Sequence, residues 1–241
     1  HLSDRRQRQM CIRDRAWGSL ARKLAHEIKN PLTPIQLTID RLRSKYSDQL
    51  EQKDKDNFKE NLKIIINQIK QIEKLVNEFS DFARMPKPVF QKNNLIELLN
   101  ENINLLKELD NSIEIFLNNN SQSIFLESDK EQLSRVFLNI IKNSIESIQE
   151  KAQNSSNCSK KITIELNNHN DHINLSFIDT GVGFSDLKSN IKDILNPYFT
   201  TKKNGTGLGL SIVNKIINDH NGYINFIPIY DGAKIEIIFK K

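Results

Sequence analysis

The sequence predicts a helical hairpin followed by an α/β sandwich, and three observations carry this prediction. Apolar residues recur at alternating steps of four and three through two segments before residue 84, as on one face of an amphipathic helix. The run from Arg84 to Pro88 holds two prolines, which remove backbone donors and end a helix. Beyond it, strand patterns alternate with helical ones, which is typical of a mixed sheet covered by helices on one face.

The two helices share one kind of apolar pattern. A polar turn separates them, which indicates an antiparallel hairpin. Each apolar seam is too narrow to close a two-helix core, so we predict that two chains pair into a four-helix bundle as a homodimer. The first seam comprises Leu20, Leu24, Ile28, Leu32, Ile35, Ile39, Leu42 and Tyr46, and the second comprises Phe58, Leu62, Ile65, Ile69, Ile72, Val76, Phe79 and Ala83.

The α/β part follows from strand-like and helix-like patterns in turn. Strands are predicted at about 89–91, 112–117, 123–126, 161–168, 172–178, 223–228 and 234–239, and helices at about 94–109, 129–150 and 208–220. A loop of about 25 residues precedes the last helix, and its length is typical of a mobile lid. We place the hairpin domain at 17–85 and the α/β domain at 89–241.

Composition excludes several classes of protein. The net charge of +5 arises from basic residues scattered among acidic ones, so we expect no nucleic acid partner. Cys11 and Cys158 lack the spacing of metal or redox motifs, which favours a reducing compartment. No apolar run reaches the ~18 residues of a membrane-spanning helix, so we expect no direct membrane contact within this sequence.

The first 16 residues differ in composition from the rest of the chain. They are rich in Arg and Gln, whereas the remainder is rich in Ile, Lys and Asn, and they contain neither an initiator Met nor an apolar signal region. We expect residues 1–16 to be a linker or a non-native segment, and the chain to be a fragment of a longer protein. A basic juxtamembrane linker is the alternative.

One histidine in the first helix occupies a chemically available position. At 100° per residue, His26 points away from Ile28 and therefore away from the seam, with Glu27 beside it and Asn30 one turn later on its own face. Pro31 and Pro34 follow, so we expect the helix to be bent or loosened there. A neutral imidazole is a nucleophile, and an adjacent carboxylate can accept its proton. The alternative is an ordinary solvated His–Glu pair.

Two clusters in the α/β domain fit a nucleotide. "NIIKN" places Asn139 and Asn143 on one helix face, where amide oxygens can bind a hard cation such as Mg²⁺. "DTGVGF" ends a strand with Asp179, whose carboxylate can accept a hydrogen bond from an exocyclic amine such as that of adenine. Gly181 and Gly183 let the backbone approach a ring closely. A strand that simply ends in a glycine turn is the alternative for this second cluster.

A third cluster fits phosphate groups. In "GTGLGLS", Gly205, Gly207, Leu208 and Gly209 lead into a helix, whose N-terminal amides and dipole favour an anion. The preceding "PYFTTKKNG" adds hydroxyl donors and two cations, namely Thr200, Thr201, Lys202 and Lys203. No strand comes directly before the glycines, so this is not the dinucleotide-binding fingerprint. The other histidines lack ligand spacing, and we expect each to be a surface residue: His1, His169, His172 and His220.

These clusters, in this order behind a hairpin, resemble the sensor histidine kinases of two-component systems. "HEIKNP" is similar to the phosphoacceptor H box of that family, "NIIKN" to the N box, "DTGVGF" to the G1 box, "YFTTK" to the F box and "GTGLGLS" to the G2 box. The segment "WGSLARKLAHEIKNPLTPIQLTIDRLRSKY" further resembles the nitrogen-regulation branch of the family, the NtrY-like kinases. The resemblance implies a Bergerat-type sandwich that binds ATP and Mg²⁺.

The resemblance also implies roles for individual residues. His26 would accept the γ-phosphoryl group of ATP, Glu27 would take the ring proton, and Asn30 would orient a hydrolytic water. Asn143 would hold Mg²⁺ with Asn139 near the phosphates, and Asp179 would read adenine. Gly181 and Gly183 would shape the adenine pocket, while Gly205, Gly207 and Gly209 would close around the phosphates. Ser144 stands where the family often has alanine, and we expect little consequence because both residues are small.

The implied partner is an aspartate on the receiver domain of a response regulator, for which an NtrX-like protein is expected. The implied location faces the cytoplasm, with the parent protein anchored in the inner membrane. Two alternatives stay open: an ATPase clamp of the gyrase, Hsp90 and MutL kind, and a signalling scaffold without phosphotransfer.

Overall fold

The computed structural model describes residues 2–46, 52–83, 85–109, 112–154, 159–184, 191–202 and 205–241. Within these ranges it also describes the side chains, except those of residues 2–20, 52, 53, 109, 191 and 192. The chain separates into two compact units. The first contains the residues up to Pro86 and the segment Thr200–Leu208, and the second contains Lys87–Phe199 and Gly209–Lys241. The domain limits at residues 85 and 89 stay a prediction, because Thr200–Leu208 groups with the first unit.

The first unit is built on two long helices, α1 at Leu2–Tyr46 and α2 at Gln52–Ala83. Their shared core is a cluster of Leu32, Ile39, Leu62 and Ile69 with Phe58 and Ile66 packed against it. On each helix the buried positions recur every seven residues, since Ala25 precedes Leu32 and Ile39, and Val76 follows Leu62 and Ile69. The predicted hairpin helices are therefore present.

The predicted seam is only half buried within one chain, as expected for a seam too narrow to close a two-helix core. Leu24 and Ile28 are each 42% exposed, while Ala21 and Ala25 take the buried positions at that end of α1. Among the seam residues whose side chains are described, the exposed ones are Leu24, Ile28, Ile35, Leu42, Tyr46, Ile65 and Ile72. The side chain of Leu20 lies outside the described residues. Apolar residues at alternating steps of four and three form two adjacent apolar stripes along a helix. A single neighbouring helix covers only one of these stripes.

The second unit contains the remaining regular elements. Its strands are β1 at Gln91–Asn94, β2 at Glu114–Asn119, β3 at Phe125–Ser128, β4 at Lys161–Asn168, β5 at His172–Asp179, β6 at Gly222–Ile229 and β7 at Gly232–Lys240. Its helices are α3 at Leu95–Leu109, α4 at Lys130–Asn154 and α5 at Gly209–Asp219, with a 3₁₀ turn at Ile191–Leu195. Among the described residues, no helix is both long and apolar enough to span a membrane.

Five strands form the main sheet, in the order β2-β4-β5-β7-β6. Strand β2 runs parallel to β4, and the other neighbours are antiparallel. The sheet is mixed, as predicted. Strands β1 and β3 form a separate two-stranded antiparallel sheet instead of joining the main one. Pairing between distant segments depends on tertiary packing, which a local pattern does not report.

Alternate residues of the central strands face a core that the helices cover. Phe177 of β5 packs against Phe137 of α4 with ring centroids 6.1 Å apart. The other fully buried side chains of this layer include Ile140, Ile141, Ile162, Ile164, Leu175, Ile237 and Phe239. This packing lays α4 against β5, so that the end of β5 at Asp179 lies beside the middle of α4.

Candidate functional site

The phosphoacceptor candidate lies on the solvent side of α1. His26, Glu27 and Asn30 are all exposed, which confirms the predicted phase of this helix. Lys23 approaches Glu27 with 4.0 Å between Nζ and Oε1, and both side chains are largely in water. Such an exposed pair contributes little to stability, so Glu27 stays available to a neighbouring proton donor.

Pro31 and Pro34 lie inside α1, and the helix continues through both. The predicted loosening is therefore limited to the hydrogen bonds that proline cannot make. Without an amide hydrogen, Pro31 leaves the carbonyl of Glu27 without its helical donor, and Pro34 does the same for Asn30. Both carbonyls lie within one turn of His26.

In the second unit, Asp179 ends β5 as a carboxylate that is only 5% exposed. Its Oδ1 accepts the amide hydrogen of Gly181 at 2.9 Å, and its Oδ2 accepts the hydroxyl hydrogen of Ser144 at 2.9 Å. Burial raises the pKa of Asp179, and the hydrogen bonds from Gly181, Ser144 and Ala233 and the charge of Lys151 oppose that rise. Ser144, for which we expected little consequence, thus makes a bond that alanine could not make.

Three glycines are required by close approach around Asp179. A Cβ on Gly181 would lie 2.2 Å from the hydroxyl of Ser147 on α4. Gly232, at φ +125, would bring a Cβ to 1.8 Å from the carbonyl oxygen of Asp179, while Gly183, at φ +71, lies against Gly232. Neighbouring protein atoms therefore demand glycine at these places, whereas the sequence argument assigned Gly181 and Gly183 to the approach of a ligand ring.

The asparagines of α4 are partly buried, and one of them meets the glycine-rich segment. Asn139 donates from Nδ2 to the carbonyl of Arg135 at 2.8 Å, which leaves its Oδ1 facing Gly209, where a Cβ would lie 3.1 Å away. The N-box and G2-box segments therefore come together at the start of α5. Asn143 lies one turn further along the same face of α4, and its side-chain amide oxygen is a ligand of the kind that Mg²⁺ prefers.

An open groove runs along α4 beside Asn139. Its volume is about 620 Å³, and its lining includes Lys130, Arg135 and Lys142 as well as Glu131. Lys130 is paired with Glu101, with 2.9 Å between Nζ and Oε2, so the balance rests on Arg135 and Lys142 against Glu131. That balance is positive, which suits phosphate groups.

The lid residues belong to the first unit up to Leu208. Thr200 and Thr201 are exposed, and Lys202 is partly buried with its amide donating to the Thr200 hydroxyl at 3.1 Å. Of the remaining glycine-rich positions, Gly205 donates its amide hydrogen to the carbonyl of Lys202, Gly207 has φ 69, and Leu208 is fully buried. The hydroxyl of Thr206 donates to the Glu78 carboxylate within the same unit. Lys203 lies outside the described residues.

Sequence reasoning missed several residues around these sites. His220, which we expected on the surface, is only 4% exposed: its Nε2 accepts the amide hydrogen of Asp129 at 3.0 Å, and its Nδ1 donates to the carbonyl of Ile216 at 2.8 Å. A histidine at a helix end gives no sign of a partner 91 residues away. Ser147, Lys151 and Gly232 were also missed, because hydroxyls on a helix and glycine in a hairpin turn are common without function.

Comparison with known proteins agrees with this geometry. Residues 16–88 match the His Kinase A (phospho-acceptor) domain, and residues 128–241 match the Histidine kinase-, DNA gyrase B-, and HSP90-like ATPase family. An NtrY-like sensor histidine kinase of Rickettsia typhi is 37% identical over 238 residues, which are 98% of this chain and 38% of that protein. The nitrogen regulation protein NtrY of Azorhizobium caulinodans is 36% identical over 230 residues, 95% of this chain and 29% of the relative. The chain thus spans well under half the length of these curated relatives.

Solved structures show the same architecture. The histidine kinase ThkA in complex with the response regulator protein TrrA aligns over 99% of this chain and 66% of its own, with 25% identity and a TM-score of 0.66. The catalytic domain of ThkA alone aligns over 64% of this chain and 96% of its own, with 27% identity and a TM-score of 0.54. With its phosphoacceptor hairpin and its ATPase-type sandwich, the chain belongs to the sensor histidine kinases and is related to their NtrY-like members.

Proposed function

We propose that the chain transfers the γ-phosphoryl group of ATP to its own His26 and then passes it to an aspartate on a response-regulator receiver domain. The observation that carries the proposal is the pairing of an exposed His26 with a second unit that gathers Asp179, Asn139 and Gly209. Neither half would suffice alone, since surface histidines are common and related folds serve ATPases without a phosphoacceptor.

In the first step, the bond between the γ-phosphorus and the bridging oxygen of ATP breaks, and a bond from phosphorus to the imidazole nitrogen of His26 forms. ADP leaves, and Glu27 takes the ring proton. Asn143 would hold Mg²⁺ with Asn139 near the phosphates, and bound Mg²⁺ would supply charge neutralisation for the transferring group. Asp179 would accept a hydrogen bond from the adenine amine.

The remaining glycines and lid residues would act on the phosphates. We assign that role to Gly205, Gly207, Leu208 and Gly209, with hydroxyls and cations from Thr200, Thr201, Lys202 and Lys203. Gly181 and Gly183 would keep the adenine pocket open. The positive groove beside Asn139 supports placing the polyphosphate there.

The regulator would dock on the His26 face of the hairpin. Leu37 lies three turns after His26 on that face and is 55% exposed, so it offers the regulator an apolar contact further along the same face. The solved relative in complex with a response regulator supports a partner of this kind, and we propose an NtrX-like receiver. Asn30 would orient a water for dephosphorylation of that partner. We further propose that the parent protein is anchored in the inner membrane and faces the cytoplasm.

Incubation with γ-labelled ATP and Mg²⁺ tests the proposal. We expect an acid-labile labelled protein, and we expect His26→Ala to abolish the label while ADP still binds. The exposed His169→Ala is the matched control and should label normally. Label retained in His26→Ala contradicts the assignment. Phosphate release without labelled protein favours an ATPase clamp instead, and failure of the unmodified chain to bind ATP favours a scaffold.

A further inference from the structure

Three polar side chains form one row along α4 and hold the segment that follows β5. Ser144, Ser147 and Lys151 are spaced by three and four residues, which places them on one helix face. Ser144 donates to Oδ2 of Asp179 at 2.9 Å, and the Ser147 hydroxyl accepts the amide hydrogen of Val182 at 3.0 Å. Between them in the loop, the carbonyl of Thr180 accepts a hydrogen bond from the Lys151 ammonium at 3.0 Å.

We propose that this row is a positioning device for the adenine-reading carboxylate, in which Ser144 fixes the plane of Asp179 while Ser147 and Lys151 hold the turn behind it. The inference rests on the proposed function, because it assumes that Asp179 reads an adenine nucleotide. The inference adds positioning residues that lie outside the H, N, G1, F and G2 boxes. Of these residues, Ser144 is the one that contacts the Asp179 carboxylate directly.

The burial of Ser144 argues that its hydroxyl serves Asp179 rather than solvent. Ser144 is 3% exposed and has the buried apolar side chains of Ile140, Ile141 and Ile148 as neighbours on α4. A polar group in such surroundings costs free energy unless it is hydrogen-bonded. The bond to Asp179 satisfies the serine, and it also supplies a donor to a carboxylate that water scarcely reaches.

Ionisation of Asp179 connects this geometry to binding. The ionised carboxylate offers both oxygens as acceptors for the adenine amine, whereas a proton would occupy one of them. Burial works against ionisation, and the groups that favour it are Ser144 and Lys151 from α4 and the amides of Gly181 and Ala233. Lys151 also contacts Asp231 in the turn between β6 and β7, so its charge is shared between two acids.

Isothermal titration of the full chain with ADP tests the proposal, and the matched pair is Ser144→Thr and Ser144→Val. The two substitutes have nearly equal volume, but only threonine keeps the hydroxyl. We expect Ser144→Val to weaken ADP binding roughly tenfold relative to Ser144→Thr, as for loss of one hydrogen bond to a charged group. Ser176→Ala removes a buried hydroxyl from β5 that donates to Asn174, and it should leave ADP binding unchanged.

The pH profile of ADP binding separates a positioning role from a general loss of structure. Without the Ser144 donor, Asp179 takes up its proton at a higher pH. As the pH is lowered, ADP binding by Ser144→Ala should therefore weaken at a higher pH than ADP binding by the unmodified chain. Equal affinity for Ser144→Thr and Ser144→Val, or coincident pH profiles, overturns the inference. If the unmodified chain does not bind ADP at any pH, the proposed function fails instead.

Discussion

The carboxylate of Asp179 lies where water scarcely reaches. Three hydrogen-bond donors and the charge of Lys151 favour the ionised form, yet burial still raises the pKa of the group. Such a residue lowers the stability of the fold at neutral pH, which is typical of a residue that binds ligand.

Asp179→Asn should therefore separate binding from stability. A carboxyl whose folded pKa is raised holds its proton when the unfolded chain has released it, so its contribution to stability falls as pH rises above the ordinary value of 3.8. We expect Asp179→Asn to gain stability relative to the unmodified chain as the pH rises above 3.8, and to lose ADP binding at least tenfold. Urea unfolding and calorimetry measure the two effects. A stability difference that does not grow with pH contradicts this account of Asp179.

Among the elements, α4 begins at a junction that joins three parts of the second unit. Asp129 caps the helix by accepting the amide hydrogen of Gln132 at 3.0 Å, and its other oxygen accepts that of Val89 at 2.8 Å. The backbone amide of Asp129 donates to His220, whose ring lies 5.1 Å from that of Phe90. The end of the interdomain linker is thus fastened to the helix that carries the asparagines.

Substitution at Asp129 should reveal this cap. Burial works against ionisation of Asp129, but hydrogen bonds from Val89 and Gln132 outweigh it and lower the pKa of this carboxyl. The ionised cap therefore stabilises the fold above pH 3.8, and this stabilisation is lost as the pH falls through the lowered pKa. We expect Asp129→Ala to cost about 1–2 kcal/mol at neutral pH, and Asp129→Asn to cost less because asparagine also caps helices. Urea unfolding of the second unit measures both. Equal stability of Asp129→Ala and the unmodified chain would rule out the cap.

Sequence periodicity predicted the elements well because it reports which residues avoid water. It could not tell which stripe of the hairpin faces the second helix of the same chain, since a step of four and three describes both stripes equally. It also could not assign Ser144, whose partner lies 35 residues away, or separate β1 and β3 from the main sheet. The boxes located Asp179 and Asn139, but the contacts that orient Asp179 come from neighbours that only the fold brings together.

For the whole molecule, the exposed stripe of the hairpin is the feature that bears on assembly. Ile28, Ile35 and Leu42 follow the same seven-residue spacing as the buried stripe, and Leu24 lies one turn before Ile28. All four remain 38 to 45% exposed. A continuous apolar stripe beside a formed core matches what a second hairpin would cover in a four-helix bundle. We therefore retain the homodimer as a proposal, with this stripe as its interface.

Charge introduced on that stripe should dissociate the dimer. We expect Ile35→Lys to sediment as a monomer at concentrations where the unmodified chain is a dimer, because a lysine there would be buried without a partner. Leu37→Lys is the matched control, since Leu37 is also exposed but lies on the His26 face. It should remain a dimer and label normally with ATP, while transferring phosphoryl more slowly to a receiver domain. Dissociation by both variants, or by neither, contradicts the proposed interface.

We propose above that His26 is the phosphoryl acceptor for the ATP site of its own protein. The most direct measurement is peptide mapping by mass spectrometry at neutral pH after incubation with ATP and Mg²⁺, with Asp179→Asn as the variant that should stay unmodified. We predict one phosphoryl group on the peptide that contains His26, and none on the peptide that contains His169 and His172. A phosphoryl group on any other residue, or an equal yield from Asp179→Asn, would contradict the account.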